Sequence, residues 1–115
     1  MEIFVKKEVN ELYYLATRWG GGKGWDSQKT FVRTDYSKKS GKLGSCMYCS
    51  ADYTAIMFST YEDAVKMMNK YNCSGERVKL FNFNKYLRNN KLVVWGRELA
   101  LKEMEIEGIK CYKFI

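Results

Sequence analysis

The sequence contains no histidine and no proline. Without histidine, the chain has no Ser-His or Cys-His nucleophile pair, no imidazole general base and no histidine metal ligand. Catalysis would depend on carboxylates, cysteine, lysine or tyrosine alone, so we expect a protein that is not an enzyme. Without proline there is no Pro-rich linker between domains, and 115 residues suit one domain over residues 1–115.

Long hydrophobic runs are also absent. Apolar stretches such as 55–58 and 92–95 fall far short of the roughly 20 residues that cross a bilayer. The beginning, MEIFVKKEV, has an acidic second residue and lacks the apolar core of a signal peptide. We therefore expect a cytoplasmic protein that has no contact with a membrane and keeps its cysteines reduced.

The four cysteines are Cys46, Cys49, Cys73 and Cys111. The first two form a C-x-x-C pair, but zinc sites usually contain a second closely spaced pair, and the other two are far apart. A redox C-x-x-C would need a βαβ context that the sequence does not indicate. We expect thiols that act as small hydrophobic residues, with no bound metal and no cofactor, and a zinc site remains the alternative.

The pattern of apolar residues predicts an α+β fold. The segments MEIFV, LYYLATRW, KTFVRTD, RVKLFNF and KLVVWGR are predicted strands, and 37–45 and NKYLRNN are predicted loops or turns. The segment FSTYEDAVKMMNKYN predicts one amphipathic helix over about 60–71, with Thr60 or Ser59 as its N-cap. We expect a mostly antiparallel sheet of about five or six strands with this helix packed on one face.

The C-terminal segment LKEMEIEGIKCYKFI fits two structures. Met104 and Ile106 alternate with Glu103, Glu105 and Glu107, which favours a strand broken at Gly108 over a helix at 98–107. Three carboxylates on one strand face can hold a divalent cation, but such a row is more often the solvated side of a strand. We expect the solvated side.

Positive charge is concentrated in two blocks. The net charge is +7, whereas residues 18–45 alone carry +5 and residues 66–97 carry +7. Both blocks interleave cations with aromatic residues; the second contains Arg77, Lys79, Phe81, Phe83, Lys85, Tyr86, Arg88, Lys91 and Trp95. Cations neutralise phosphates and exposed aromatic rings stack on bases, so this pattern favours an anionic partner. The alternative is a sheet whose aromatic residues fill the core while lysines face solvent.

The first block contains the glycine-rich stretch RWGGGKGWDSQKTFVR. A P-loop requires G-x-x-x-x-G-K-[ST] followed by a helix. Here Lys29-Thr30 is present, but both required glycine positions are occupied by other residues and a β-prone segment follows. The stretch is therefore predicted to be a hairpin with a long loop, in which Lys23 and Trp25 project at the tip.

The segment ADYTAIMFSTYEDAVKMMNKY resembles a strand–turn–helix segment found in many small bacteriophage and mobile-element proteins, and it covers about 20 of 115 residues. Such proteins often block a bacterial host defence, either by occupying a nucleic-acid-binding effector or by capturing a nucleotide signal. The resemblance implies a location in the cytoplasm of a bacterial host. It carries no site residues over to this chain.

The leading hypothesis is an anti-CRISPR-like inhibitor that engages nucleic acid or a nucleoprotein complex through basic aromatic loops. The candidate binding residues are Arg18, Trp19, Lys23, Trp25, Lys29, Arg33, Lys38, Lys39, Lys42, Lys85 and Arg88. Two alternatives remain: an oligomeric sponge for a nucleotide signal, in which Trp19 or Trp25 sandwiches a base, and a protein-interaction module with exposed aromatic residues.

Overall fold

The computed structural model describes residues 11–19, 29–45, 51–71 and 76–115. These described residues form one α-helix, two short 3-10 helices (Asp52–Thr54 and Phe83–Tyr86) and ten strands. The elements in chain order are β1 Tyr13–Trp19, β2 Lys29–Ser37, β3 Lys42–Ser45, β4 Met57–Phe58, α1 Tyr61–Lys70, β5 Glu76–Leu80, β6 Leu87–Arg88, β7 Lys91–Val94, β8 Arg97–Glu98, β9 Leu101–Ile106 and β10 Ile109–Phe114. The predicted α+β class is confirmed.

The main sheet is antiparallel and is organised around β1. Six strands follow one another in the order β3-β2-β1-β4-β10-β9, and β5 pairs with the other side of β1. Strands β2 and β4 lie end to end along the same side of β1: β2 pairs with its second half, as in Ala16↔Val32, and β4 with its first half, as in Tyr13↔Phe58. The predicted hairpin between LYYLATRW and KTFVRTD is thereby confirmed.

The helix α1 begins and ends where the sequence predicts. Thr60 is the N-cap, and its Oγ1 accepts a hydrogen bond from the Asp63 N–H at 3.1 Å. Acidic Glu62 and Asp63 occupy the first turn and Lys70 the last, which matches the helix dipole. Ala64 and Met67 are fully buried against the sheet, so the helix covers one face as expected.

The sheet is buried on both faces. Leu12, Tyr14 and Ala16 belong to one apolar cluster, whereas Leu15 belongs to a second cluster that also contains the buried residues of α1. The first cluster is covered by Leu92 and other residues of a small sheet formed by β6, β7 and β8, together with the second 3-10 helix. The described residues therefore form three layers: helix, main sheet and small sheet.

The structure corrects three loop and strand assignments. Residues 37–45 were expected to form a loop, but β2 extends to Ser37 and β3 spans Lys42–Ser45, so only a short turn separates them. NKYLRNN contains a 3-10 helix and β6 as well as a turn. KLVVWGR is not one strand, because β7 ends at Val94 and a turn follows.

The remaining assignments are settled in part. Residues 101–106 form strand β9, which confirms the strand and excludes the helix at 98–107. RVKLFNF is a strand only as far as Leu80. MEIFV and the tip of the glycine-rich loop lie outside the described residues. Within the described part, the single ten-residue α-helix is too short and too polar to cross a bilayer.

Candidate nucleic-acid interface

Two tight turns shape the small sheet. Asn89-Asn90 joins β6 to β7, with φ of 53° and 65°, and Trp95-Gly96 joins β7 to β8, with φ of 54° and 77°. Positive φ at both central residues of a two-residue loop is the mark of a type I′ turn, whose twist matches that of the paired strands. Asparagine and glycine tolerate this conformation readily, but tryptophan does not.

Trp95 lies at the tip of the β7–β8 hairpin and is 94% exposed. The pair Val94↔Arg97 closes the ladder directly beneath it, so the indole extends beyond the last paired residues. A bulky side chain at positive φ is uncommon and is strained unless its surroundings compensate. At this exposure almost no packing within the fold compensates, so the indole is a candidate contact for an external partner.

Cationic side chains accompany Trp95 on the small sheet. The exposed cations of this region are Lys85, Arg88, Lys91 and Arg97. Arg88 and Lys91 lie directly opposite each other across the β6–β7 ladder, an arrangement of like charges that destabilises a hairpin. Lys91 is partly offset by Glu98, which lies 3.7 Å away and is itself exposed. An anion at this surface would relieve the repulsion.

The 3-10 helix that leads into the small sheet is fixed to the first 3-10 helix through Asp52. This carboxylate is buried and accepts hydrogen bonds from the Tyr86 hydroxyl and, at 3.4 Å, from Lys85 Nζ. Burial, followed by the bond to Asp52, raises the pKa of Tyr86, and burial raises the pKa of Tyr14 to about 12. The Tyr86 hydroxyl therefore stays protonated at neutral pH and donates to Asp52. Lys85 is therefore partly engaged in this contact with Asp52.

A second cationic tip lies at the β2–β3 turn. Lys38, Lys39 and Lys42 are all exposed there. The turn is closed by a hydrogen bond of 2.7 Å from the Gly41 N–H to the Ser37 carbonyl, and Gly41 has a φ of 67°. Lys38 and Lys39 lie in this turn and Lys42 is the first residue of β3, so the three lysines lie at one end of the hairpin.

Arg33 has a different environment from the other candidates. Its Nε donates to Glu76 Oε2 at 2.7 Å and its Nη1 to the Leu43 carbonyl at 3.0 Å. The Glu76 side chain is only 2% exposed, and separating a buried ion pair leaves an uncompensated charge. Arg33 therefore joins β2 to β3 and β5, and we leave it out of the interface.

The other candidates of the first block are only partly placed. Arg18 and Trp19 lie in β1 and Lys29 lies in β2, but their side chains are outside the described part of the structure. Lys23 and Trp25 fall entirely outside the described residues. Their predicted role at the tip of the first hairpin stays a prediction.

The predicted site omits Lys91, which lies opposite Arg88, and also Trp95 and Arg97, which lie at the other end of β7. The sequence offered one signal for the turn that exposes Trp95, namely the Trp95-Gly96 dipeptide between apolar and charged residues. A residue followed by glycine often marks a two-residue hairpin turn. Conversely, some aromatic residues of the second block belong to the core. Phe81 is 2% exposed and packs against Phe114 and Tyr86, so it does not offer a face for stacking.

Two carboxylates near the C-terminus and the thiol of Cys111 have partners within the fold. Glu103, Glu105 and Glu107 are exposed; Glu103 pairs with Lys110, and Glu107 accepts from Tyr36 at 2.7 Å. The bond from Tyr36, followed by nearby Lys70, lowers the pKa of Glu107. Cys111 is buried, and its burial raises the thiol pKa to about 12. No group of three or more metal-ligating side chains occurs among the described residues.

Comparison with known proteins adds no relative: no protein-family model, curated protein or solved structure matches the chain. The functional argument therefore depends on the surfaces described above.

Proposed function

We propose that this protein is a non-enzymatic binding protein that engages nucleic acid, free or as part of a host nucleoprotein complex, through its basic hairpin tips. The observation that carries the proposal is Trp95, which is 94% exposed at positive φ. The exposed cation Arg97 lies in the same hairpin, and exposed Arg88 and Lys91 lie at the opposite end of β7. The class-level resemblance to small phage inhibitors of host defence agrees with such a role.

The physical basis is a combination of charge and stacking. Phosphates that contact Arg88, Lys91 and Arg97 would release condensed counterions, which makes affinity depend on salt. The Trp95 indole would stack on an unpaired base, an interaction worth roughly 1–3 kcal/mol and tolerant of sequence. Because stacking needs an accessible base face, single strands or unpaired loops are the expected targets.

A nucleotide sponge finds less support in the described geometry. The cavity that includes two candidate cations, lined by Arg33, Lys42, Leu43 and Tyr71, has a volume of about 190 Å³, whereas pockets for small ligands usually exceed about 300 Å³. A larger cavity of about 370 Å³ beside Phe81 and Phe83 has no cation in its lining. Arg33 is also committed to Glu76. We therefore favour nucleic acid over a mononucleotide as the ligand of this protein.

Fluorescence anisotropy with a labelled single-stranded oligothymidylate tests the proposal. Affinity is expected to fall steeply between about 50 and about 200 mM NaCl, and the double variant Arg88→Ala/Lys91→Ala should reduce the slope of log K against log salt by about 1.4. Trp95→Ala should weaken binding at least about tenfold, with Trp95→Phe largely restoring it.

The matched control is Lys102→Ala, since Lys102 is an exposed lysine on β9. It should change the affinity far less than the Arg88 and Lys91 substitutions do. Affinity that is independent of salt, or equal in the wild type and Trp95→Ala, would contradict the proposal.

A further inference from the structure

The pocket of about 370 Å³ lies at the end of the β1–β5 ladder. The last ladder pair is Tyr13↔Leu80, and beyond it the Phe81 N–H donates to the Leu12 carbonyl at 2.8 Å. The residues that line the pocket all belong to the described part of the chain: Glu11, Leu80, Phe81, Asn82, Phe83 and Asn84. Its volume falls within the range of pockets that hold small ligands or parts of larger ones.

The register of the ladder brings a carboxylate and a carboxamide together in this pocket. The same register, continued past the bond between Phe81 and Leu12, places Glu11 opposite Asn82. Facing residues of an antiparallel pair have Cβ atoms roughly 4.5–5.5 Å apart. One edge of a planar ligand can therefore contact both side chains.

These two side chains offer opposite kinds of hydrogen-bonding group. Glu11 Oε1 accepts from the Tyr13 hydroxyl at 2.9 Å, but an ionised carboxylate has about four acceptor sites, so most of its capacity is left for a ligand. Asn82 Oδ1 accepts from the Asn84 N–H at 3.1 Å, which leaves the NH₂ group of Asn82 as a donor. The pocket therefore presents a donor beside a set of acceptors.

The rest of the lining is largely apolar and contains no cation. Leu80 lies two residues before Asn82, hence on the same face of the strand, and is 56% exposed. Phe83 is half-buried and packs edge to face on Phe81 at 4.9 Å. A phosphate finds no cationic partner among these residues, whereas a neutral planar group finds both an apolar wall and hydrogen-bonding groups.

We propose that this pocket binds the base of an unpaired guanine. The Watson–Crick edge of guanine carries one acceptor, O6, followed by two donors, N1–H and the amino group at C2, and such edges are read in single strands. O6 would accept from the Asn82 NH₂ group, and both donors would bind the Glu11 carboxylate. The ring would pack against Leu80 and Phe83.

The other bases fit the same groups less well. Adenine presents the acceptor N1, and cytosine and thymine present the acceptor O2, where the Glu11 carboxylate requires a donor. The inference rests on the proposed function for its ligand, a single-stranded nucleic acid. It adds a preference for one base to the stacking on Trp95, which tolerates any sequence.

The test compares labelled oligothymidylates whose central base is replaced by guanine, adenine or hypoxanthine, with fluorescence anisotropy as the readout. The guanine strand should bind at least about fivefold more tightly than the adenine strand, which is the discrimination expected of a bidentate contact. Hypoxanthine lacks the amino group at C2 and so loses one donor to Glu11. The hypoxanthine strand should therefore bind with an affinity between those of the other two.

The variant Glu11→Gln keeps the size of the side chain and an acceptor for Tyr13, but replaces one carboxylate oxygen with a donor. Loss of a negative charge raises the affinity for every strand, so the readout is the ratio of the affinities for the guanine and adenine strands. This ratio should fall to about twofold or less. The matched control Glu105→Gln, at an exposed position on β9, should leave the ratio unchanged.

The pocket and the proposed function fail in different ways. Salt-dependent binding of all strands with equal affinity overturns the pocket and leaves the proposed function standing. A guanine preference that survives Glu11→Gln, or that Glu105→Gln removes equally, also overturns the pocket.

If no strand binds, the proposed function fails and the pocket is tested by nuclear magnetic resonance with guanosine 5′-monophosphate at about 5 mM. Shifts of the Leu80 methyl resonances that are weaker with inosine 5′-monophosphate would support the pocket alone. Absence of these shifts, or equal shifts with the two nucleotides, would overturn it.

Discussion

Trp95 is a residue whose conformation and exposure both oppose the stability of the fold. Its φ of 54° belongs to the left-handed region, and its side chain is 94% exposed. Asparagine or aspartate before glycine would satisfy the same type I′ turn at lower cost. Binding surfaces often contain residues that lower the stability of the fold at positions where another residue would raise it.

Replacement of Trp95 by asparagine should therefore raise stability while it reduces binding. We expect the free energy of unfolding of Trp95→Asn to increase by about 0.5 kcal/mol or more, because asparagine tolerates the left-handed conformation. Urea denaturation followed by circular dichroism measures the change. A loss of stability would show that the indole packs within the fold and would argue against an external role.

Cys111 shows how burial controls the chemistry of a single thiol. Its Sγ donates to the Ile109 carbonyl at 3.2 Å, and burial raises the pKa of the thiol from 9.0 to about 12. The thiolate is the reactive and metal-binding form of cysteine. Cys111 is therefore held in its unreactive form at neutral pH.

The raised pKa of Cys111 predicts a loss of stability at alkaline pH. The contribution is fully present below the pKa of the unfolded thiol, near 9, and is lost as pH rises towards the folded pKa of about 12. Between about pH 8.5 and about pH 10, the unfolding free energy of the wild type should fall by about 1 kcal/mol more than that of Cys111→Ala. Parallel profiles in chemical denaturation would contradict this linkage.

At the scale of elements, the helix was predictable because its signals are local. Thr60, the acidic first turn and the apolar stripe all lie within a few residues of one another. The β2–β3 hairpin was missed because Lys38 and Lys39 suggested a solvated loop, although Gly41 supplies the turn conformation. The Trp95-Gly96 turn was read as strand because tryptophan favours β structure.

The N-cap of α1 offers a test at the same scale. Thr60→Ala removes the acceptor for the Asp63 N–H and should reduce the free energy of unfolding by about 1 kcal/mol. Ser59→Ala is the matched control, because Ser59 was the competing cap candidate and the structure assigns the cap to Thr60. Equal losses of unfolding free energy in the two variants, measured by thermal or urea denaturation, would contradict the assignment of the cap to Thr60.

At the scale of the whole molecule, sequence periodicity indicated the α+β class but not the third layer. β1 is buried on both faces, and in the sequence this appears only as a run in which apolar residues occupy both faces of the strand. No pattern in the neighbouring sequence indicates that β1 pairs with β5 or is covered by the small sheet. Likewise Arg33 resembled a phosphate ligand because Glu76, its buried partner, is distant in sequence. Contacts of this kind depend on the tertiary fold and leave no local pattern.

Asp52 joins the first 3-10 helix, which lies next to the main sheet, to the second 3-10 helix, which lies beside the small sheet. Substitution of Asp52 should therefore weaken the attachment of the small sheet. Asp52→Asn weakens the bonds from Lys85 and Tyr86 inside a buried site and should cost about 1–3 kcal/mol of stability. A double-mutant cycle with Tyr86→Phe measures their coupling. Additive effects of the two substitutions would show that the bond contributes nothing specific.

The central position of β1 also has a consequence for folding kinetics. Its partners β2, β4 and β5 come from widely separated parts of the sequence, and the pair Ala16↔Arg77 spans about half the chain. Closing such loops costs entropy before the contacts form, which slows folding. Until α1 and the small sheet cover its two faces, β1 is an exposed apolar strand. Chain concentration during refolding should therefore determine how much of the protein reaches the native state.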